Sequence, residues 1–114
     1  MILTCKRCGI VVCKNVQLGK RINSESSDGP IVGNGEYIKI VDENKYTNYV
    51  AINRTDLVNT IDHPDGLRWT GCCGPDGDHG ENVLCQNGHE IGVVFQDCWT
   101  YHCFVATQCI EKLA

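Results

Sequence analysis

The chain has little that would mark a membrane protein, a nucleic-acid binder or a helical bundle. Apolar runs are short, Ile10-Val11-Val12 and Val93-Val94-Phe95 among them, far below the length of a membrane span. There is no basic surplus: ten Lys and Arg face fourteen Asp and Glu, for a formal net charge of -4. Nucleic-acid binding draws most of its affinity from phosphate neutralisation, so that balance argues against it. The basic residues that do cluster are Lys6, Arg7, Lys14, Lys20 and Arg21. No window of a dozen residues keeps an i, i+3, i+4 apolar stripe, which removes the long amphipathic helix. The opening MILTCKRCG lacks a basic segment followed by an apolar stretch, so a secretory signal is not expected and the reducing cytoplasm is. In that compartment the Asn53-Arg54-Thr55 sequon carries no meaning.

Cysteine is what the chain has in excess: nine in 114 residues. An odd number leaves one thiol over in a pure disulfide framework, and reduced compartments turn cysteine clusters toward metal. One domain spanning 1–114 is expected from the length. At this size a metal clamp would supply a large share of stability.

Strand signals prevail, at Ile2 to Cys5, Ile10 to Leu18, Tyr37 to Val41, Tyr49 to Ile52, Ile91 to Gln96 and Trp99 to Thr107. Asn23 to Gly35 and Gly71 to Asn82 read as loops rich in glycine and polar residues. Thr55 to Ile61 has room for one helical turn capped by Thr55 or Asp56. The expected architecture is mainly β, a small domain of antiparallel sheets with little helix.

The metal-ligand pattern is strongest at Cys5-Lys6-Arg7-Cys8-Gly9. Two intervening residues let a tight turn aim both sulfurs at one ion, and Gly9 supplies the backbone freedom. A redox CxxC would open a helix, whereas Gly9 to Val12 reads as strand. The partner is Cys85-Gln86-Asn87-Gly88-His89, where Asn-Gly turns the chain and presents Cys85 and His89 together. Cys5, Cys8, Cys85 and His89 make a Cys3His zinc set; the plain alternative for His89 is a surface turn residue.

A second zinc is conceivable from Cys72, Cys73, Cys98 and His102. Adjacent thiols in a strand point to opposite faces, so Cys72 and Cys73 converge only if Gly71 to Pro75 turns. In a strand Cys98 and His102 would lie about 13 Å apart, whereas ligands of one zinc sit about 3.5 Å from each other. Cys13, Cys103 and Cys109 lie in apolar sequence and read as buried thiols.

The Cys5/Cys8 knuckle, the long β-rich insertion and the turn at Cys85 resemble small zinc-ribbon or β-tent domains. In those folds one zinc held between distant hairpins clamps two sheets. This chain departs from them in lacking the second CxxC. The tract from GCCGPDG through CQNGHEIG to DCW also resembles a motif set of small bacterial proteins of unsettled activity. The resemblance implies a structural zinc and a bacterial origin more than a function. The expectation of a non-catalytic module with a protein partner comes from the scaffold, a zinc-clamped β domain with two long loops that could present a surface.

Enzyme alternatives find thinner support. His79-Gly80-Glu81 supplies the HxE of zinc deaminases without the PCxxC that should follow. A zinc hydrolase could take Glu90 or Asp97 as base, but mainly thiolate ligands make a closed site. A methionine-sulfoxide-reductase-like reading would use Cys103 or Cys109, whose surroundings do not match that family's pattern. Asp42, Glu43, Asp76, Asp78 and Glu81 could form an acidic face. Tyr46, Tyr49 and Trp69 are the candidate aromatic anchors.

Overall fold

The computed structural model describes residues 1–22, 29–41, 45–97 and 101–113. Their strands are β1 (Ile2–Cys5), β2 (Gln17–Leu18), β3 (Gly29–Pro30), β4 (Glu36–Lys39), β5 (Val50–Ile52), β6 (Thr60–Asp62), β7 (Val83–Cys85), β8 (Glu90–Phe95), β9 (Tyr101–Val105) and β10 (Cys109–Lys112). β1 and β10 pair antiparallel as a two-stranded ribbon. The larger sheet runs β2-β4-β5-β9-β8-β7-β6, with the short β3 lying parallel to β9 off that path. Helix among the described residues is confined to two 3-10 turns, Arg54–Asp56 and Gly66–Trp69.

Period-two alternation explains why the central strands carry so few polar residues. Val50, Ile52, Val94, Phe104 and Ala106 join one buried cluster with Leu3, Val12 and Val16 from the N-terminal segment. Their neighbours Ala51, Val93, Phe95, Cys103 and Val105 pack on the opposite face with Ile31, Val32, Ile38, Ile40 and Tyr46. The sheet therefore has two cores, and the run Val93-Val94-Phe95 is buried throughout. Tyr46 belongs to this packing, meeting Phe95 edge-on at 5.3 Å. Tyr49 is exposed and Trp69 half-buried beneath the Arg54 guanidinium.

The expected strand Ile10 to Leu18 breaks into single bridges, Thr4 with Val11 and Cys13 with Leu57, before β2 begins. Val12, Cys13 and Val16 are fully buried there, so apolar burial rather than a ladder explains the composition. The anticipated helical turn is shorter and earlier. Asn53 caps it by accepting from Thr55 N–H, and Thr60 to Asp62 form β6 instead. Within the expected loop Asn23 to Gly35, residues 29 and 30 pair with β9. The loop from Gly71 to Asn82 is irregular as expected.

Asn82 closes that loop from inside the core. It is fully buried, accepts from Val94 N–H at 2.7 Å, and donates to the Val94 carbonyl at 3.0 Å. One amide side chain thus satisfies both backbone groups of a central-strand residue. Asn82→Leu strands that pair and is expected to cost about 2–3 kcal/mol, read as a lower urea midpoint at unchanged m-value.

Candidate metal centre

Two hairpin turns build the centre. In the first, β1 delivers Cys5, and the chain returns antiparallel with Cys5 N–H on the Ile10 carbonyl and Val12 N–H on that of Leu3. The turn closes through Gly9 N–H to the Cys5 carbonyl at 2.9 Å, with Gly9 at φ +78°. In the second, between β7 and β8, Cys85 N–H bonds the His89 carbonyl at 2.8 Å. Gly88 N–H bonds the Cys85 carbonyl at 2.8 Å, with Gly88 at φ +87°. Both glycines occupy the left-handed region that a Cβ disfavours.

Asn59 ties the two turns together. Its own backbone is left-handed at φ +55°. Its side chain donates to the Val11 carbonyl at 2.8 Å while its carbonyl accepts from Gln86 N–H at 2.9 Å.

The four expected ligands meet. Single atoms of Cys5, Cys8, Cys85 and His89 all lie within 4.8 Å of one another. A tetrahedral zinc, with bonds of about 2.3 Å to sulfur and 2.0 Å to nitrogen, sets sulfur–sulfur edges of about 3.8 Å and sulfur–nitrogen edges of about 3.6 Å. The Cys8 and Cys85 sulfurs stand 3.8 Å apart. His89 Nδ1 is 3.5 Å from the Cys85 sulfur and 3.8 Å from that of Cys5. These edges are far too long for a disulfide, whose sulfurs sit about 2.05 Å apart. The set could hold a metal ion through three thiolates and the Nδ1 nitrogen.

Electrostatics divide the ligands. Asn87 Nδ2 donates to the Cys8 sulfur at 3.4 Å. That bond, with the Ile10 N–H, lowers the exposed Cys8 thiol to about 6. A depressed thiol is a thiolate at neutral pH, and the charge is lost as pH falls through that value. Burial acts oppositely on Cys5 and raises its thiol. An open cavity of about 300 Å³, lined by Arg7, Glu81, Gly88, His89, Glu90 and Gln108, flanks the imidazole.

The residues proposed for a second site do not gather in this way. Among the described residues, Cys72, Cys73 and His102 form no ligand group, and Cys98 lies outside the described residues. Cys72 and Cys73 are exposed, and His102 Nε2 stands 3.2 Å from the Asp97 carbonyl.

The remaining thiols are held protonated. Burial pushes Cys13 up to about 11, with nearby Asp56 adding to the effect. Cys109 rises to about 12 by burial and donates to the Ile91 carbonyl. Burial drives Cys103 up further. Cys13 and Cys103 are buried as expected, but Cys109 is half-buried, opposite Cys5 in the ribbon. Such thiols are poor nucleophiles, which weakens the thiol-enzyme reading. His79 and Glu81 join no ligand group among the described residues; Glu81 instead accepts from Thr107 at 3.2 Å. Of the expected acidic face, Asp42 and Glu43 lie outside the described residues.

The expectation missed the polar struts at Asn59, Asn82 and Asp97. Asn59 stands three residues before Asp-His-Pro-Asp, with nothing in its surroundings to announce a left-handed bridge. No family model matches the chain, and neither the curated proteins nor the solved structures offer a match.

Proposed function

We propose that this chain is a non-catalytic zinc-binding module whose zinc is structural and whose task is to present a surface to a protein partner. The observation that carries the reading is the closed ligand set: four protein atoms at tetrahedral spacing leave no position for a substrate or an activated water. The set also links Cys5 of the β1–β10 ribbon to Cys85 of the larger sheet, which is where a clamp between two sheets belongs. The zinc-ribbon or β-tent resemblance is consistent with that placement. A cytoplasmic chain would keep its thiols reduced for the metal.

The partner reading draws on the sheet edges. β2 and β6 end the larger sheet among the described residues, and Leu18 and Ile61 are exposed on them. Unpaired edges accept an added strand from another protein.

Metal analysis of the purified chain is expected to give one zinc per chain; less than one sinks the structural-zinc reading. Affinity capture with a tagged chain tests the second half. A partner that is retained by the wild type and lost from a zinc-loaded, folded Leu18→Lys or Ile61→Lys variant supports it. Equal capture by both variants overturns it.

A further inference from the structure

The vicinal cysteines Cys72 and Cys73 lie outside the metal centre, and the fold gives them an unusual local conformation. Cys72 N–H donates to Asp97 Oδ2 at 3.1 Å, and Cys73 N–H donates to Asp97 Oδ1 at 2.7 Å. Consecutive amides that share one carboxylate must point the same way. In an extended strand they would point opposite ways, as would the side chains. A concave run of successive N–H groups around an anion is the nest geometry. Because the two amides converge on one carboxylate, the segment is not extended, and the neighbouring side chains do not project to opposite faces as they would in a strand.

The surroundings fix this turn. Asp97 is buried, 7 % exposed, and its carboxylate lies beneath the loop. Gln96 N–H donates to the Pro75 carbonyl at 2.9 Å, holding the far side. A Cβ on Gly71 would overlap the Gly74 carbonyl, and one on Gly74 would stand 2.6 Å from the Gln96 carbonyl. The chain is therefore folded tightly on itself, and Cys72 and Cys73 are both exposed residues. Their Cα atoms are separated by one trans peptide, about 3.8 Å.

We infer that Cys72 and Cys73 form a preorganised dithiol site for thiophilic trivalent arsenic compounds, separate from the Cys3His centre. Two neighbouring soft sulfur donors, held in a turn, match an electrophile that takes two thiolates at once. The reaction is an exchange without oxidation or reduction. An arsenic compound of the type R–As=O takes up two thiols, forms two As–S bonds and releases its oxygen as water with the two thiol protons. Arsenic stays trivalent, and both sulfurs stay at the thiol oxidation level.

The test uses the full chain as purified, with phenylarsine oxide as probe and inorganic arsenite as competitor. Native mass spectrometry is expected to show one phenylarsenic adduct per chain, with the metal content unchanged. Cys72→Ala and Cys73→Ala should each abolish the adduct; both positions are exposed, so circular dichroism should confirm that the fold survives. Cys98→Ala should retain it. Arsenite should compete with the probe at the same stoichiometry. Three results would overturn the inference: an adduct that persists in either single variant, one that displaces the bound metal, or one that vanishes in Cys98→Ala.

Discussion

Cys85→Ser is expected to lose the bound metal and unfold the domain. Cys85 is fully buried at the end of β7, and its sulfur stands 3.8 Å from that of Cys8 and 3.5 Å from His89 Nδ1. Structural zinc contributes an apparent binding free energy of about 10–16 kcal/mol. A domain of this size has only about 5–15 kcal/mol of net stability in total. On the structural-zinc reading, losing the ion would therefore remove as much as the fold possesses. Two comparisons make the result specific. Cys13→Ala deletes an equally buried sulfur that joins no ligand group among the described residues, and should cost about 1–2 kcal/mol with metal retained. Cys8→Ser changes the one exposed thiol of the set, where water can approach the vacated position. It should weaken metal binding while leaving the fold recoverable at high metal concentration. Metal content with near-ultraviolet circular dichroism separates the three cases. A Cys85→Ser chain as stable as Cys13→Ala would show that the cluster does not hold the fold.

Phe104→Ala is expected to destabilise the chain by about 3–5 kcal/mol, the range for emptying an aromatic site in a close-packed core. Phe104 heads the fully buried side chains and sits in β9, opposite Ile52 of β5 and Val94 of β8. Its ring also fills the space left by a missing side chain. A Cβ on Gly92 would stand 2.5 Å from the Phe104 ring and would overlap the Val105 carbonyl. Gly92→Ala alone should therefore be destabilising through overpacking, by about 1–3 kcal/mol. In the double variant the new methyl enters the vacated ring space, so its cost should be less than the sum of the two single-variant costs. The relief is partial, because the Val105 carbonyl is backbone of the paired strand and cannot rotate away. Urea titrations of the wild type, both single variants and the double variant measure that coupling. Strict additivity would mean that the glycine and the ring do not share the space.

What the sequence made legible follows from how local each signal is. The Cys5-Cys8-Gly9 turn and the Cys85-to-His89 turn could be read because ligand spacing and a left-handed glycine are properties of five consecutive residues. Their meeting was inferred from chemistry rather than from pattern. β6, β7 and β10 were not legible. Thr60-Ile61-Asp62 and Cys109 to Lys112 are short and largely exposed, so neither burial nor alternation marks them. Val83-Leu84-Cys85 is buried at all three positions but follows directly on a glycine-rich loop. The turn at Cys72 and Cys73 could be anticipated as a break from strand, but Asp97 could not be. A carboxylate that receives two amides from twenty-four and twenty-five residues upstream has no local signature.

The sequence distance between the two halves of the metal centre has a consequence for how the chain is made. Cys8 and Cys85 are separated by 77 positions. At a synthesis rate of about 5–20 residues per second, the first knuckle leaves the ribosome roughly 4–15 seconds before its partner. During that interval Cys5 and Cys8 have only half a coordination shell, and β1 lacks the strand that pairs with it. The nascent knuckle is then a pair of thiols without the other two candidate ligands, open to oxidants and to soft ions. Cells under copper or peroxide stress should accordingly damage newly made chains while sparing those already folded.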